Sequence, residues 1–177
     1  APFTAIDAAL LEFGRKPEEN LGRGMRYELG GITLLVDFAH NPHGLRALVD
    51  LARSLPARRR AILLGQAGDR DDAAIRELAR VAWSLGPDRV LLKEMTSYLR
   101  GRVEGEVTAV LQDEFLRLGA RRDQIVAAPS EEDALTAALA WAKAGDLLVL
   151  TIHSDREAIL ARLGELERDG WHAPEAR

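Results

Sequence analysis

Thr33-Leu34-Leu35-Val36-Asp37-Phe38-Ala39-His40-Asn41-Pro42-His43-Gly44 passes from an apolar run to a polar turn within a few residues. The apolar half has the pattern of a buried strand. Asn41 is a strong helix N-cap, and Pro42 suits the first helical position, where its missing N–H is not needed. Beyond it, Leu45, Leu48, Leu51, Ala52 and Leu55 are spaced as one apolar helical face. The segment therefore reads strand, turn, helix. Asp37, His40 and Asn41 cluster where the strand gives way to the helix, the place at which open α/β sheets bind ligands. A helix N-terminus there also offers free N–H groups and a positive dipole end to an anion.

Working outward, Ile6, Ala9, Leu10 and Phe13 predict a helix over 3–13, followed by a polar connector over 14–20 and the turn Leu21-Gly22-Arg23-Gly24. Met25 to Leu29 reads as a short strand, Gly30-Gly31 as a hairpin turn, and Ile32 to Phe38 as the return strand. After the helix at 43–55, a strand over 61–65 ends in the polar loop Gly65-Gln66-Ala67-Gly68-Asp69-Arg70-Asp71-Asp72. A helix follows with Ile75, Leu78, Ala79, Ala82 and Leu85 facing inward, then a strand over 89–93 and a long polar loop over 94–106. Val107, Val110, Leu111, Phe115 and Leu118 mark the next helix, and 124–128 a short strand. Ser130 caps a helix over 131–143, with Asp133 placed as in a capping box. The last strand spans 146–152. A final helix, capped by Ser154 or Asp155, turns Ile159, Leu163 and Leu166 inward, and 171–177 reads as a loose tail.

Strand–helix alternation implies parallel pairing with right-handed crossovers, whereas a tight hairpin has to be antiparallel. The expected fold is a three-layer α/β domain: a six-stranded, mostly parallel sheet with one antiparallel edge strand and helices on both faces. The expected organisation is a helix and hinge over 1–24, the main domain over 25–170 and a tail over 171–177.

The chain has 177 residues, which suits one domain that buries roughly 70% of its unfolded surface without a staple. It contains no cysteine, so it has no disulfide framework and no cysteine metal site, which fits a reducing cytoplasm. A net charge of −4 argues against a general nucleic-acid binder. No apolar run approaches the ~20 residues that span a membrane, and Ala1-Pro2-Phe3-Thr4, with no basic n-region and no long apolar core, is not expected to be a signal peptide. The first residue is Ala rather than Met, so a fragment of a longer protein is expected.

Four strand-end loops should share one edge of the sheet. They hold Asp37, His40 and Asn41; Asp69, Arg70 and Asp71; Glu94, Arg100 and Arg102; and His153, Ser154 and Asp155. Arg23 can reach the same edge. So many charges at strand ends suit a ligand that is itself charged, with Arg100 and Arg102 able to grip a carboxylate or phosphate bidentately. Each residue also has a structural explanation: Asp37 as a turn brace, Asn41 as a cap, the arginines as solvated charges, the two histidines as ordinary structural residues. The loop at 65–72 is not a P-loop, since no Gly-Lys-Ser/Thr follows. There is also no G-x-G-x-x-G fingerprint, which disfavours a Rossmann oxidoreductase, and no HExxH, EF-hand or G-x-S-x-G pattern.

Taken together, Leu21-Gly22-Arg23, the Asp37-Phe38-Ala39-His40-Asn41-Pro42 block and Gly65-x-x-Gly68-Asp69-Arg70-x-Asp72 resemble the C-terminal domain of the Mur ligases. Arg100-Gly101-Arg102-x-x-Gly105-Glu106 looks most like the Mur-ligase half of cyanophycin synthetase and its relatives. The resemblance covers about residues 5–165 and implies a Rossmann-like domain of an ATP-dependent amide ligase. In such an enzyme ATP turns a carboxylate into an acyl phosphate, and the amine of an amino acid displaces phosphate. Carried over residue by residue, it makes Arg23 and His40 phosphate-side catalytic candidates and puts Asp37 on the ribose hydroxyls, with Asn41 in the same nucleotide-binding set. Asp69, Arg70, Arg100 and Arg102 fall at the amino-acid site, and His153 is a further substrate-binding candidate. It also implies that the P-loop, the Mg²⁺ ligands and a carbamylated lysine lie on a central ATPase domain outside this chain. The expected partners are ATP, an amino acid and a carboxylate acceptor, with no metal site, nucleic acid or membrane. The alternative is a non-catalytic Mur-ligase-like module for binding or protein association.

Overall fold

β1 (Met25–Leu29) and β2 (Ile32–Asp37) form the expected antiparallel hairpin, with Leu29 opposite Ile32. Gly30 and Gly31 both have positive φ, +53° and +88°, as the tight primed turn requires. The structure, a computed structural model, describes residues 24–175. The helix expected over 3–13, the connector over 14–20 and Arg23 lie outside the described residues.

The remaining elements alternate. They are α1 (Pro42–Ser54), β3 (Arg60–Leu64), α2 (Asp72–Trp83), β4 (Arg89–Lys93), α3 (Glu106–Arg117), β5 (Ile125–Ala128), α4 (Glu131–Trp141), β6 (Leu147–Thr151) and α5 (Arg156–Arg168). The sheet order is β1-β2-β6-β3-β4-β5, and every pair except β1–β2 is parallel. This is the mixed six-stranded, Rossmann-like architecture with one antiparallel edge strand.

Strand residues alternate between two cores, as a period of two demands. Leu35, Ile62, Leu64, Val90, Leu92, Leu147 and Val149 face α1, α2 and α3. Leu34, Val36, Leu63, Leu91, Leu148 and Leu150 face α4 and α5. The helices that follow β2, β3 and β4 therefore cover one face, and those that follow β5 and β6 cover the other. β6, inserted between β2 and β3, is where connections leave for opposite faces, and a crevice at its C-terminal end is the usual outcome. No helix among the described residues is long and apolar enough to cross a membrane.

Three local expectations change. On α1, Leu45, Leu48, Val49 and Ala52 are buried while Leu51 is exposed. At 100° per residue Leu51 lies far from Leu45, and Val49 takes its place on the stripe. Asp155 occupies the N-cap position of α5 without a side-chain cap bond. Residues 171–174 are not loose. Ala173 N–H donates to Gly30 O at 2.9 Å, Ala144 N–H donates to Pro174 O at 3.0 Å, and Trp171 packs on the second core. A Cβ on Gly30 would stand 2.2 Å from Trp171 O, so only glycine admits this crossing.

Candidate functional site

Asp37 ends β2, and its carboxylate accepts the Gly24 N–H at 2.6 Å through Oδ2. Asn41 caps α1 by accepting the Gly44 N–H at 2.9 Å, which fixes how the chain enters the helix. His40 lies exposed between them, its Nδ1 3.1 Å from Phe38 O. Because a carbonyl only accepts, Nδ1 carries the proton there and Nε2 stays open. Asp37, His40 and Asn41 line one recess together with Ala39 and Gly44.

A second recess of about 180 Å³ adjoins it and shares Phe38 and His40. The loops after β2, β3, β4 and β6 all contribute, through His40, Gln66, Asp69, Arg70, Tyr98, Arg100 and His153. Of the residues singled out from sequence, His40, Asp69, Arg70, Arg100 and His153 thus come together. The Arg70 guanidinium has no hydrogen-bond or ion-pair partner among the described residues. Arg100 pairs with Asp69, whose carboxyl is held below the usual range chiefly by that hydrogen bond. Arg100 also has a φ of +46°, a left-handed conformation rare for a residue with a side chain.

Arg102 lines neither recess. It donates to Gly68 O at 3.1 Å, Arg70 O at 2.8 Å and Glu106 at 2.8 Å, and pairs with Asp72 at 2.8 Å. It braces the two loops that carry Asp69 and Arg100. The loops are joined further by Gly68 N–H to Tyr98 O at 2.8 Å, and a Cβ on Gly68 would fall 2.0 Å from Leu99 O. The second glycine of the 65–72 loop thus serves close backbone approach rather than a phosphate. Glu94 and Asp71 are also used internally. Glu94 accepts Gly105 N–H at 2.9 Å and the Thr108 hydroxyl at 3.0 Å, and Asp71 caps α2.

His153 is mostly buried at the end of β6. Its Nε2 donates to Ala39 O at 3.1 Å, which leaves Nδ1 as the unprotonated nitrogen, buried without a partner. Burial, with Lys93 nearby, pushes its pKa down to about 3, so the ring is neutral at physiological pH. Beneath it lies an ion pair that sequence reading did not single out: Lys93 with Glu131, both fully buried. Lys93 also donates to Thr151 O at 2.6 Å, and burial holds its pKa well below the usual lysine value. Glu131 accepts His153 N–H and Asp155 N–H, each at 2.7 Å. A Cβ on Gly65 would meet Lys93 Cγ at 2.7 Å, so that glycine lets the lysine pass. A charged residue closing the apolar run Val90-Leu91-Leu92 was the only sequence signal. Gln66, 8% exposed and also with an unpartnered buried oxygen, gave none.

Residues 22–151 match the family described as Mur ligase, glutamate ligase domain. The cyanophycin synthetase of Crocosphaera subtropica is 31% identical over 147 residues, 83% of this chain and 16% of that protein. The UDP-N-acetylmuramoyl-L-alanyl-D-glutamate–2,6-diaminopimelate ligase of Solibacter usitatus is 33% identical over 132 residues, 73% of this chain and 25% of that protein. Among solved structures, a murein peptide ligase from Psychrobacter arcticus superposes with a TM-score of 0.62 at 22% identity, covering 82% of this chain and 29% of that one. E. coli FolC in complex with DHPP and ADP gives a TM-score of 0.60 at 22% identity, covering 82% and 32%. These structural likenesses bear on the fold. The chain spans between 11% and 17% of the length of the cyanophycin synthetases it matches.

Proposed function

The chain belongs to the Mur ligase family, and from that premise we propose that it is the nucleotide-closing, amino-acid-binding domain of an ATP-dependent ligase that joins an acid to an amino acid. The observation that carries this reading is the convergence of His40, Asp69, Arg70, Arg100 and His153, from four strand-end loops, on one recess beside the Asp37 recess. A carboxylate, an imidazole and the guanidinium groups of Arg70 and Arg100 at one sheet edge suit a nucleotide on one side and an amino acid on the other.

In the proposed reaction an acceptor carboxylate oxygen bonds to the γ-phosphorus of ATP, and ADP leaves. The amine nitrogen, having lost a proton, bonds to the acyl carbon. The bond from that carbon to the phosphate oxygen breaks, and a second proton leaves as the amide forms. Asp37 keeps Oδ1 free of partners among the described residues, an acceptor for a ribose hydroxyl. His40, when protonated on both nitrogens, presents Nε2–H to phosphate oxygens, with Arg23 and Asn41 assigned to the same end. Such donors matter because negative charge concentrates on the transferring group. Asp69, Arg70, Arg100 and His153 take the amino acid, and Arg102 holds their loops.

The Mg²⁺ that accompanies ATP in such chemistry does not fit these residues: among the described residues no group of three His, Asp or Glu side chains gathers. In this reading its ligands and the P-loop belong to a central domain, and closure onto that domain excludes water from the acyl phosphate. We place the reaction in the cytoplasm.

The test is ADP release by the complete ligase polypeptide, screened against the common amino acids, with hydroxylamine to trap the acyl phosphate. Release that depends on one amino acid, and a KM for ATP raised at least tenfold in Asp37→Ala, is expected. Turnover indifferent to amino acids, or none while Asp37→Ala and His40→Ala keep full biological activity, refutes the reading in favour of a non-catalytic module.

A further inference from the structure

Two acceptors in the recess shared by the four strand-end loops have nothing to accept. Gln66 is 8% exposed, lines the recess, and its amide makes no hydrogen bond with any described residue. His153 lines the same recess, and its Nδ1 is buried and unpartnered because Nε2–H is committed to Ala39 O. A buried polar atom without a partner bears its full desolvation cost, so buried acceptors of this kind in native proteins are normally satisfied by something. The opposite chemistry borders the same space: Arg70, whose guanidinium makes no hydrogen bond or salt bridge with a described residue although its charge acts on Asp69, and Arg100. Bare acceptors beside a guanidinium with open N–H donors match the ammonium and carboxylate of an α-amino acid head group.

We propose that Gln66 Oε1 and His153 Nδ1 bind the N–H groups of the incoming amino acid while Arg70 binds its carboxylate. This rests on the amino-acid reading above and assigns the amine to a residue, Gln66, that reading did not use. Two acceptors on the N–H groups turn the remaining substituent position of the nitrogen, where the lone pair forms, away from this wall. The neutral His153 ring keeps Nδ1 free for this at physiological pH. The acceptors also set a selectivity: a ligand lacking the amine leaves both unsatisfied and binds more weakly.

The test uses the ¹⁵N-labelled chain itself, titrated with the twenty common L-amino acids and, for those that bind, the matching des-amino carboxylic acids. The expected result is chemical-shift change at Gln66, Arg70 and His153 with at least one amino acid, and at least tenfold weaker binding of its des-amino counterpart. Gln66→Leu should reduce that preference to within about twofold, and Gln66→Glu, which keeps the acceptor, should retain it. Gln66→Leu should also raise Tm by about 2–4 °C, because an unsatisfied buried amide is replaced by an apolar group of similar size. A glutamine that merely braces its loop would give the opposite sign. A lowered Tm, or a preference that survives Gln66→Leu, overturns this assignment and leaves the amino-acid reading standing. Failure of every amino acid to shift the recess overturns both.

Discussion

Lys93→Met keeps the length of the side chain and removes its charge from a site where the lysine side chain is 0% exposed and Glu131 is 1% exposed. Removing one partner of a buried pair leaves an uncompensated charge and costs about 3–5 kcal/mol. Here Glu131 retains two backbone donors, from His153 and Asp155 at 2.7 Å, which offset part of the loss. Thr151 O, by contrast, loses its 2.6 Å donor. The lower end of the range is therefore expected, about 3 kcal/mol. At this chain length that lowers Tm by about 6–12 °C. Urea unfolding of the purified chain, followed by circular dichroism, measures it directly. Glu131→Gln completes a cycle: the double variant should lose at least ~1.5 kcal/mol less than the two single losses added together, since the two groups are in contact. A cost below ~1 kcal/mol for Lys93→Met, or strictly additive losses, refutes the claim that this pair anchors the end of β6.

The other predictions concern the same edge. His153 has a pKa of about 3 in the fold against 6.5 in the unfolded chain, so between those values the unfolded state binds more protons. Stability should therefore fall as pH drops from 6.5, by at most about 1.4 kcal/mol per pH unit, and should not depend on this residue above 6.5. His153→Gln should flatten that slope in denaturation series between pH 7 and 4. Gly68→Ala puts a methyl group 2.0 Å from Leu99 O, a clash that should cost about 1–3 kcal/mol by urea unfolding. Arg102→Ala should lower stability by about 1–3 kcal/mol, since its 16%-exposed side chain serves four partners. Arg100→Ala, half exposed, should shift stability by less than ~0.5 kcal/mol and raise the amino-acid KM of the complete ligase. If the two arginine variants exchange these effects, the division between brace and ligand is wrong.

Much of the site was legible because its residues sit at strand ends, and strand ends can be read from local pattern. Asp37, His40 and Asn41 stand between an apolar run and a capped helix, and the structure puts all three around one recess. Arg100 and Arg102 were not separable in this way. They are two residues apart in one loop, and only the fold shows that Arg102 turns onto Gly68 O and Arg70 O while Arg100 lines the recess. Gln66 looked like any polar loop residue, since burial without a partner is a property of surroundings rather than of a side chain.

The short 3-10 turns at Thr96–Tyr98 and Arg122–Gln124 aside, the sequence by itself determined the number and order of the described strands and α-helices, the antiparallel hairpin and the edge on which the polar loops gather. Those follow from periodicity, caps and turn glycines, all of which act within a few residues. Tertiary structure alone decided that β6 enters between β2 and β3, that His153 thereby reaches Ala39, that Lys93 finds Glu131 and that residues 171–174 close on the hairpin turn. Each of these joins parts of the chain separated by 38 residues or more, where no local pattern specifies the partner and only the shared burial of two faces of one sheet selects it.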